Sequence, residues 1–565
     1  MSQFVTCRAL ADAAQQCGGP EMIRKRLAET RQAYLATALP PRLKRALAKV
    51  GVDTSSEESG AVDVAPVLRE QFGFDWGNWE HHLRFRLHLN RNSSRGDFEI
   101  ARAILNLGPE SVENLTRVVK TGVLASAGDS TEAEHRYYDL SVLPLNLILG
   151  EEVLRNFLPP ADYFESHATK VADPYGLIHG RSRSKQASGQ HAVIVDGVSK
   201  EILGTHKFSN TFLFNVDLYC PIGCADCYKT RMGTRETSVW NTGATGCAPK
   251  IYQHLEMGNL VPPRPGQWAE RAEKAVEWMN GTDRGRQVYD VILSGGEPLL
   301  ALSNESLREI LRRFERAENV RLLRICTGGL FLGLASRLDD ELLDVLSDFA
   351  DRSGMRITFQ AHLGSPEMIT PEAALAADRL RRRGFSAYSQ VPIKNGVNFF
   401  LGDFEKTLST LVELGRRQVA VGVEPYMFIV DMHPSTNAFY VPIEPLMWVW
   451  AELVESHDHP GLERPRTLSV LFDKGNIVLS GHALFAARKS IDRSAGCVTY
   501  DIPRADLSPK VGIEVYTYTE PLLEGINDDP SSLTKLQGQW KRKLKSQCRR
   551  YGKKQGKGDT ASDVP

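Results

Sequence analysis

The spacing of apolar and polar positions divides the 565-residue chain into two parts that meet near residue 211. Before that point, residues 21–38 and 98–120 carry apolar side chains three to four positions apart, which is typical of amphipathic helices. We therefore expect residues 1–200 to form a mainly helical N-terminal domain.

From residue 211 onward, short apolar runs alternate with helical patterns, which predicts a parallel sheet with crossover helices on its faces. The strands are predicted over Thr211–Leu218, Val288–Leu293, Arg321–Cys326, Met355–Ala361, Phe385–Ile393 and Val419–Ile429. The helices are predicted over Gln267–Asn280, Ser303–Arg316, Asp339–Phe349, Pro371–Arg383 and Phe404–Arg416. Periodicity alone does not decide between an open sheet and a barrel.

The last third of the chain has a weaker pattern, with a helix predicted over 446–456 and a hairpin over 467–479. Lysine and arginine are frequent in 541–557 and apolar residues are few, which predicts a solvated tail. These patterns give the predicted domains: 1–200 helical, 205–440 α/β core, 441–530 C-terminal extension, and 531–565 basic, flexible tail.

Charge and composition narrow the class of protein. The chain has 69 Lys and Arg against 69 Asp and Glu, so its zero net charge argues against a protein that coats nucleic acid or an anionic membrane. The sequence has neither an apolar run of about 18 residues nor a signal-like N-terminus, so neither a membrane span nor secretion is expected. Scattered cysteines without such a signal favour a reduced, cytoplasmic protein.

Three cysteines lie within eight residues, directly after the first predicted strand of the core. They are Cys220, Cys224 and Cys227. A structural zinc ion normally takes four ligands, and three thiolates suit a cubane iron–sulfur cluster whose fourth iron is open to another ligand. The triplet therefore favours an iron–sulfur centre, with zinc as the alternative.

A second motif follows the next predicted strand and reads Ser294-Gly295-Gly296-Glu297. Two glycines at a strand end allow a ligand to approach the backbone closely, and the carboxylate beside them can accept hydrogen bonds from an ammonium group. The carboxyl ends of parallel strands share one edge, so both motifs are expected to face the same site.

Together the two motifs resemble the signature of the radical S-adenosylmethionine (SAM) superfamily. The resemblance implies a partial (β/α)6 barrel in which Cys220, Cys224 and Cys227 bind a [4Fe–4S] cluster. It also implies that Ser294, Gly295, Gly296 and Glu297 contact SAM, with Thr327 as a further candidate. The chain departs from the superfamily at Asp226, where an aromatic residue is frequent.

Within that superfamily the chain most resembles lysine 2,3-aminomutase and its relatives. The similar segments include Trp76–Trp79, Thr205–Phe208, His362–Pro366, Gly396–Asn398, Phe439–Pro442 and Tyr516–Pro521. The resemblance implies that His362 and Gln390 contact SAM or another cofactor, and that Asp431 binds a distal amino group of the substrate. Lys229, with Arg231 close by, stands where the family has an arginine for the substrate carboxylate, although lysine lacks the bidentate fork.

The family also binds pyridoxal phosphate (PLP) on a lysine that follows a run of glycines, and this run is absent here. Lys474, in the predicted hairpin turn, is the nearby candidate for that lysine. Two reactions therefore remain open: a PLP-dependent amino shift, or a PLP-free radical dehydrogenation, elimination or epimerisation of a small metabolite. Radical modification of a peptide or RNA is a further alternative, and a barrel that keeps its cluster for structure or sensing is another.

The resemblance implies a small-molecule substrate that is an amino acid or carries an amine. It also implies an electron donor such as a flavodoxin or ferredoxin, and it leaves open whether the chain forms an oligomer. Membrane partners are not expected, and nucleic acid is argued against by the charge balance.

Overall fold

The structure is a computed structural model that describes most of the core and parts of both termini. Residues 98–120, predicted as a helix, lie outside the described part of the chain. The described residues are 7–54, 76–79, 153, 156, 191–194, 202–207, 210–217, 268–295, 297–333, 335–431, 439–453, 467–472, 475–479, 485–503 and 515–555.

A ten-stranded sheet forms the centre of the fold, with its strands adjacent in chain order. The strands β3 to β9 are parallel and make a curled half-barrel, whereas β1 and β2 at one side and β10 at the other are antiparallel to their neighbours. The ten strands are β1 His191–Ile194, β2 Ile202–Lys207, β3 Thr211–Asp217, β4 Asp290–Gly295, β5 Leu322–Cys326, β6 Arg356–Ala361, β7 Ser386–Pro392, β8 Val423–Asp431, β9 Thr467–Phe472 and β10 Gly475–Leu479.

All six predicted core strands are confirmed, as β3 to β8. The predicted hairpin over 467–479 is also confirmed, but its first strand, β9, pairs in parallel with β8 and adds a seventh parallel strand. The predicted number of six parallel strands is therefore one too few. β1 lies within the stretch up to residue 200 that the sequence predicts to be mainly helical.

Helices cover the sheet, and the five predicted crossover helices are all present. The helices are α1 Cys7–Gln16, α2 Pro20–Ala38, α3 Pro41–Lys49, α4 Trp268–Gly281, α5 Pro298–Ala301, α6 Asn304–Phe314, α7 Asp340–Ser353, α8 Pro371–Arg382, α9 Phe404–Ala420, α10 Ile443–Leu453 and α11 Ser532–Gln555.

Short polar side chains explain where several of these helices begin. Ser303, Asp339, Thr370 and Asp403 each accept a backbone N–H of the first turn that would otherwise have no partner within the helix. α9 ends four residues later than predicted, and Gly422, with φ of 84°, lies between it and β8. The predicted start of β8 at residue 419 is therefore wrong.

The core lies between the sheet and its helices. β4 is buried along almost its whole length, which is expected of a parallel strand with both faces covered. Phe214 from β3 packs edge to face against Phe314 from α6, with ring centroids 5.4 Å apart. Because such strands consist of continuous apolar runs, the sequence pattern located them well.

The N-terminal helices dock on the outside of the half-barrel through α8. Arg31 on α2 forms a bidentate ion pair with Glu372, whose side chain is only 1% exposed, and Arg42 pairs with Asp378. Partial burial raises the pKa of Asp378, but hydrogen bonds from Arg381 and Arg382 and the nearby charge of Arg42 together hold it below its usual range. The two contacts fix the helical segment to the core.

A second, three-stranded antiparallel sheet follows the half-barrel and was not predicted. Its strands are β11 Arg488–Asp492, β12 Cys497–Pro503 and β13 Val515–Pro521. α11 packs beside it, where Leu533, Leu536 and Trp540 meet Phe485 and the α10 side chains Met447 and Ala451. A flexible tail was expected from residue 531, and the structure has the helix α11 there, whose first turns carry this apolar stripe. In the described part of the chain, no helix is both long and apolar enough to span a bilayer.

Candidate functional site

The two sequence motifs begin at adjacent strand ends. β3 and β4 pair in parallel, and their last paired residues are Asp217 and Gly295. Cys220 is three residues beyond Asp217 in the chain, and Glu297 is two residues beyond Gly295. The cysteine segment and the Gly-Gly-Glu segment therefore start from neighbouring points on the carboxyl edge of the sheet, as expected for one shared site.

Several of the predicted site residues cannot be located. They are Cys220, Cys224, Cys227, Lys229, Arg231, Gly296 and Lys474, which all lie outside the described residues. The backbone of Asp431 is described as the last residue of β8, at the same edge as the other predicted residues, but its side chain is not. Their proposed roles remain predictions.

The carboxylate of Glu297 is buried, with 1% of the residue exposed, and joins the ends of β4 and β5. Its Oε1 accepts the Thr327 hydroxyl at 2.5 Å. Its Oε2 accepts the backbone N–H groups of Gly328 at 2.8 Å and Gly329 at 2.9 Å. Hydrogen bonds to an ionised carboxylate are strong, and Glu297 accepts three of them. This side chain therefore fixes the loop that follows β5.

Glycine residues lie on both sides of this contact. Gly295 has φ of 132°, which side chains rarely allow, and it ends β4 at the point where the chain turns toward Glu297. A Cβ on Gly329 would lie 2.9 Å from Leu300 Cδ1 and 3.3 Å from Glu297 Cγ. The two glycines let two backbone segments approach the carboxylate closely.

A row of polar side chains continues along the same edge, over β5, β6 and β7. His362 Nε2 and Gln390 Oε1 are 3.1 Å apart, and the Gln390 amide nitrogen lies 3.5 Å from Gln360 Oε1. Cys326 Sγ lies 3.7 Å from that same Gln360 oxygen. His362 is exposed and Gln390 half-buried, so the row presents hydrogen-bonding groups to a ligand above the sheet.

The structure thus brings together Glu297 with Thr327, and His362 with Gln390, as two pairs at neighbouring strand ends. Ser294 is half-buried within β4, one residue before Gly295. Because such groups could hold the amine, carboxylate and hydroxyls of a small polar ligand, this edge fits SAM in its chemistry.

Sequence reasoning missed a group of residues whose hydrogen bonds fix the loops next to this carboxyl edge of the sheet. Lys394, only 4% exposed, donates to the Asn156 carbonyl at 2.6 Å and lies 4.9 Å from the centre of the Phe439 ring. Asn398 donates to the carbonyls of Gly364 and Pro392 and so ties the loop after β6 to the end of β7. Asn398 belongs to the Gly-Val-Asn segment, which was noticed only as a resemblance.

Sequence reasoning also missed Gln360. Nothing in the pattern marks it, because a polar residue within a strand is informative only when its neighbours in space are known. Its backbone carbonyl accepts the Thr327 N–H at 2.9 Å, and its side chain meets Gln390. It therefore connects the two pairs of predicted site residues.

A second buried carboxylate anchors the chain beyond β8. Glu520 accepts hydrogen bonds from the Tyr440 hydroxyl, the Ile443 N–H and the Asn527 side chain. Burial raises the pKa of Glu520 to about 7 despite these donors. Burial also raises the pKa of Tyr440 well above its usual value. Glu520 thus holds the segment that enters α10 against the second sheet.

Comparison with known proteins gives relatives for part of the chain. No family model matches it. It is 27% identical over 236 residues to the L-lysine 2,3-aminomutase of Methanococcus maripaludis, covering 42% of this chain and 44% of that protein. It is 27% identical over 281 residues to the L-lysine 2,3-aminomutase of Buchnera aphidicola, covering 48% and 69% respectively. The chain spans about half the length of the curated relatives it matches.

Proposed function

We propose that the protein is a radical SAM enzyme that rearranges an amino acid or an amine-bearing small metabolite, in the manner of a lysine 2,3-aminomutase. The observation that carries the proposal is the parallel pairing of Asp217 with Gly295, which starts the cysteine segment and the Gly-Gly-Glu segment side by side. The relatives named L-lysine 2,3-aminomutase support the same class of enzyme.

In this proposal Cys220, Cys224 and Cys227 hold a [4Fe–4S] cluster, and three thiolates match a cubane with one open iron. With a cluster held by these three cysteines and with SAM bound, the site would supply radical chemistry that begins with removal of a hydrogen atom from the substrate. An electron carrier such as a flavodoxin or ferredoxin would provide the electron.

The chain's own residues bind and orient the ligands. The backbone around Ser294 and Gly295 would contact SAM, and Glu297 keeps the neighbouring Thr327 loop in place through the three hydrogen bonds described above. His362 and Gln390 offer a paired donor and acceptor for polar groups of the cofactor.

Charged residues are assigned to the two ends of the substrate. Lys229 or Arg231 would pair with its carboxylate, and Asp431, the last residue of β8, would accept its amino group. A substrate with both groups is an amino acid.

The topology near Lys474 supports a PLP-dependent version of the reaction. β9 is parallel to β8 and ends at Phe472, so its carboxyl end lies at the same edge as the candidate site. β10 begins at Gly475, and Lys474 follows the last residue of β9 by two positions in the sequence. The missing glycine run supports the PLP-free version instead.

Cluster formation and SAM cleavage test the central claim. Anaerobically reconstituted protein should bind about four iron atoms and, with a strong reductant, release 5′-deoxyadenosine. Cys224→Ala should lose both properties. Cys497→Ala, which removes a cysteine from β12, is the matched control and should keep both. A wild-type protein that binds iron but never cleaves SAM would contradict the proposal.

Borohydride trapping separates the two versions of the reaction. Wild-type protein incubated with PLP and reduced should carry a stable adduct that peptide mapping assigns to Lys474, and Lys474→Ala should lack it. Lys406→Ala, at an exposed position on α9, controls for nonspecific labelling. SAM cleavage without any specific adduct would favour PLP-free chemistry.

A further inference from the structure

The C-terminal helix α11 has a charge distribution unlike the rest of the chain. It holds nine of the 69 lysines and arginines and none of the 69 acidic residues. A balanced chain has no general attraction for polyanions, so a helix this basic is a local feature.

One face of α11 is already used. Leu533, Leu536 and Trp540 are packed on the body of the protein, and the Trp540 ring centroid is 5.4 Å from that of Phe485. Gln537 donates to the Ala487 carbonyl at 2.9 Å. The helix therefore lies along the surface and presents only its other face to a partner.

That other face carries exposed basic side chains. Lys541, Arg542 and Lys545 are exposed, and within the described residues none of the three forms an ion pair. In the sequence, further pairs follow at 549–550 and 553–554, so basic positions recur every four residues. Like charges at this spacing repel one another, and a bound polyanion would relieve the repulsion.

We propose that this face of α11 binds the phosphate backbone of RNA. The four-residue repeat rises about 6 Å along the helix. Successive phosphates of an A-form strand, whose sugars hold them closer together than in B-form DNA, match so short a repeat. The 24-residue helix is about 36 Å long and can follow several phosphates.

Two other kinds of partner fit this face of α11 less well. A protein interface needs an apolar centre, and the exposed residues described on this face are basic or polar. A membrane surface would take up an apolar helix face, but here the apolar stripe is buried against α10 and Phe485. Binding of a phosphate backbone needs neither an apolar centre nor a free apolar helix face.

The test measures fluorescence anisotropy of the full-length protein with a labelled RNA hairpin over a range of salt concentrations. Replacing Lys541, Arg542 and Lys545 together by glutamine should weaken binding at least tenfold and reduce the log–log salt slope by about 2 to 3. The matched control replaces Lys25, Arg284 and Arg312, three exposed basic residues on other elements, and should leave binding unchanged.

Three results would overturn the proposal: no RNA binding at low salt, equal weakening by both triple variants, or equal affinity for a DNA duplex, polyglutamate or anionic vesicles. The measurement needs neither cluster nor cofactor, so its failure would leave the proposed reaction untouched, and the failure of that reaction would leave RNA binding untouched. Circular dichroism of both variants checks that the helix is retained.

Discussion

Replacing Glu297 tests whether one carboxylate holds the loop after β5. Glu297→Gln keeps the shape of the side chain. Its carbonyl oxygen can take the place of Oε2 and accept the N–H groups of Gly328 and Gly329, while its NH2 donates to the Thr327 oxygen. Glu297→Ala removes every acceptor. The pair of variants therefore separates the loss of charge from the loss of the contact.

The magnitude follows from the number of hydrogen bonds. A bond to an ionised acceptor contributes about 1 kcal/mol more than a neutral one, so the two N–H bonds should lose about 2 kcal/mol in Glu297→Gln. That change raises the equilibrium constant for local opening about 30-fold. Glu297→Ala leaves the donors at a buried position without an acceptor and should cost at least about 3 kcal/mol.

Amide hydrogen exchange with single-residue resolution is the assay, because it measures local opening. Gly328 and Gly329 should exchange about 30 times faster in Glu297→Gln than in wild type, and faster still in Glu297→Ala. The amide of Leu342, which donates to Asp339 at the start of α7, serves as an internal control. If both variants keep wild-type exchange at the two glycines, Glu297 does not hold the loop and its assigned role is wrong.

Three further perturbations address the rest of the fold. The folded-state pKa of Glu520, about 7, exceeds its ordinary value of 4.5, so its stabilising contribution is complete below pH 4.5 and is lost as pH rises through 7. The free energy of unfolding, measured by thermal melts, should fall by about 3 kcal/mol over this pH window, and Glu520→Gln should flatten this pH dependence. Arg31→Leu should cost about 3 to 5 kcal/mol by leaving Glu372 buried and unpaired, whereas replacing both residues by leucine should restore most of the melting temperature; a single variant as stable as the double would contradict this. Gly285→Ala should prevent accumulation of folded protein, since its Cβ would lie 2.2 Å from the Trp278 carbonyl, and a normal melt would refute the clash.

In the half-barrel, β4 could be predicted because it is buried on both faces and so appears as an apolar run. β5 and β7 could be predicted because buried and half-buried residues alternate along them. The second sheet was missed although its signal was present: Val498, Tyr500 and Ile502 alternate with half-buried residues along β12. The helix α11 was missed because its basic composition hid the apolar stripe of Leu533 and Trp540.

The candidate site also contains residues that the sequence predicts and residues that it does not. Gly295 and Glu297 were found because they are adjacent in a recognisable motif. The three donors that hold Glu297 come from a segment about thirty residues away, and Gln360 acts between strands, so neither is visible as a local pattern. Local sequence predicts which groups are present, and only the strand register shows which of them meet.

The strand order gives the described sheet two edges, β1 and β10, instead of a closed ring. In a closed barrel the strand number and stagger fix the radius, so the interior cannot change width without breaking hydrogen bonds. An open half-barrel can twist and spread its carboxyl ends while every ladder stays intact. The ladders of the described strands alone therefore do not fix the distance between the carboxyl ends of the outer strands.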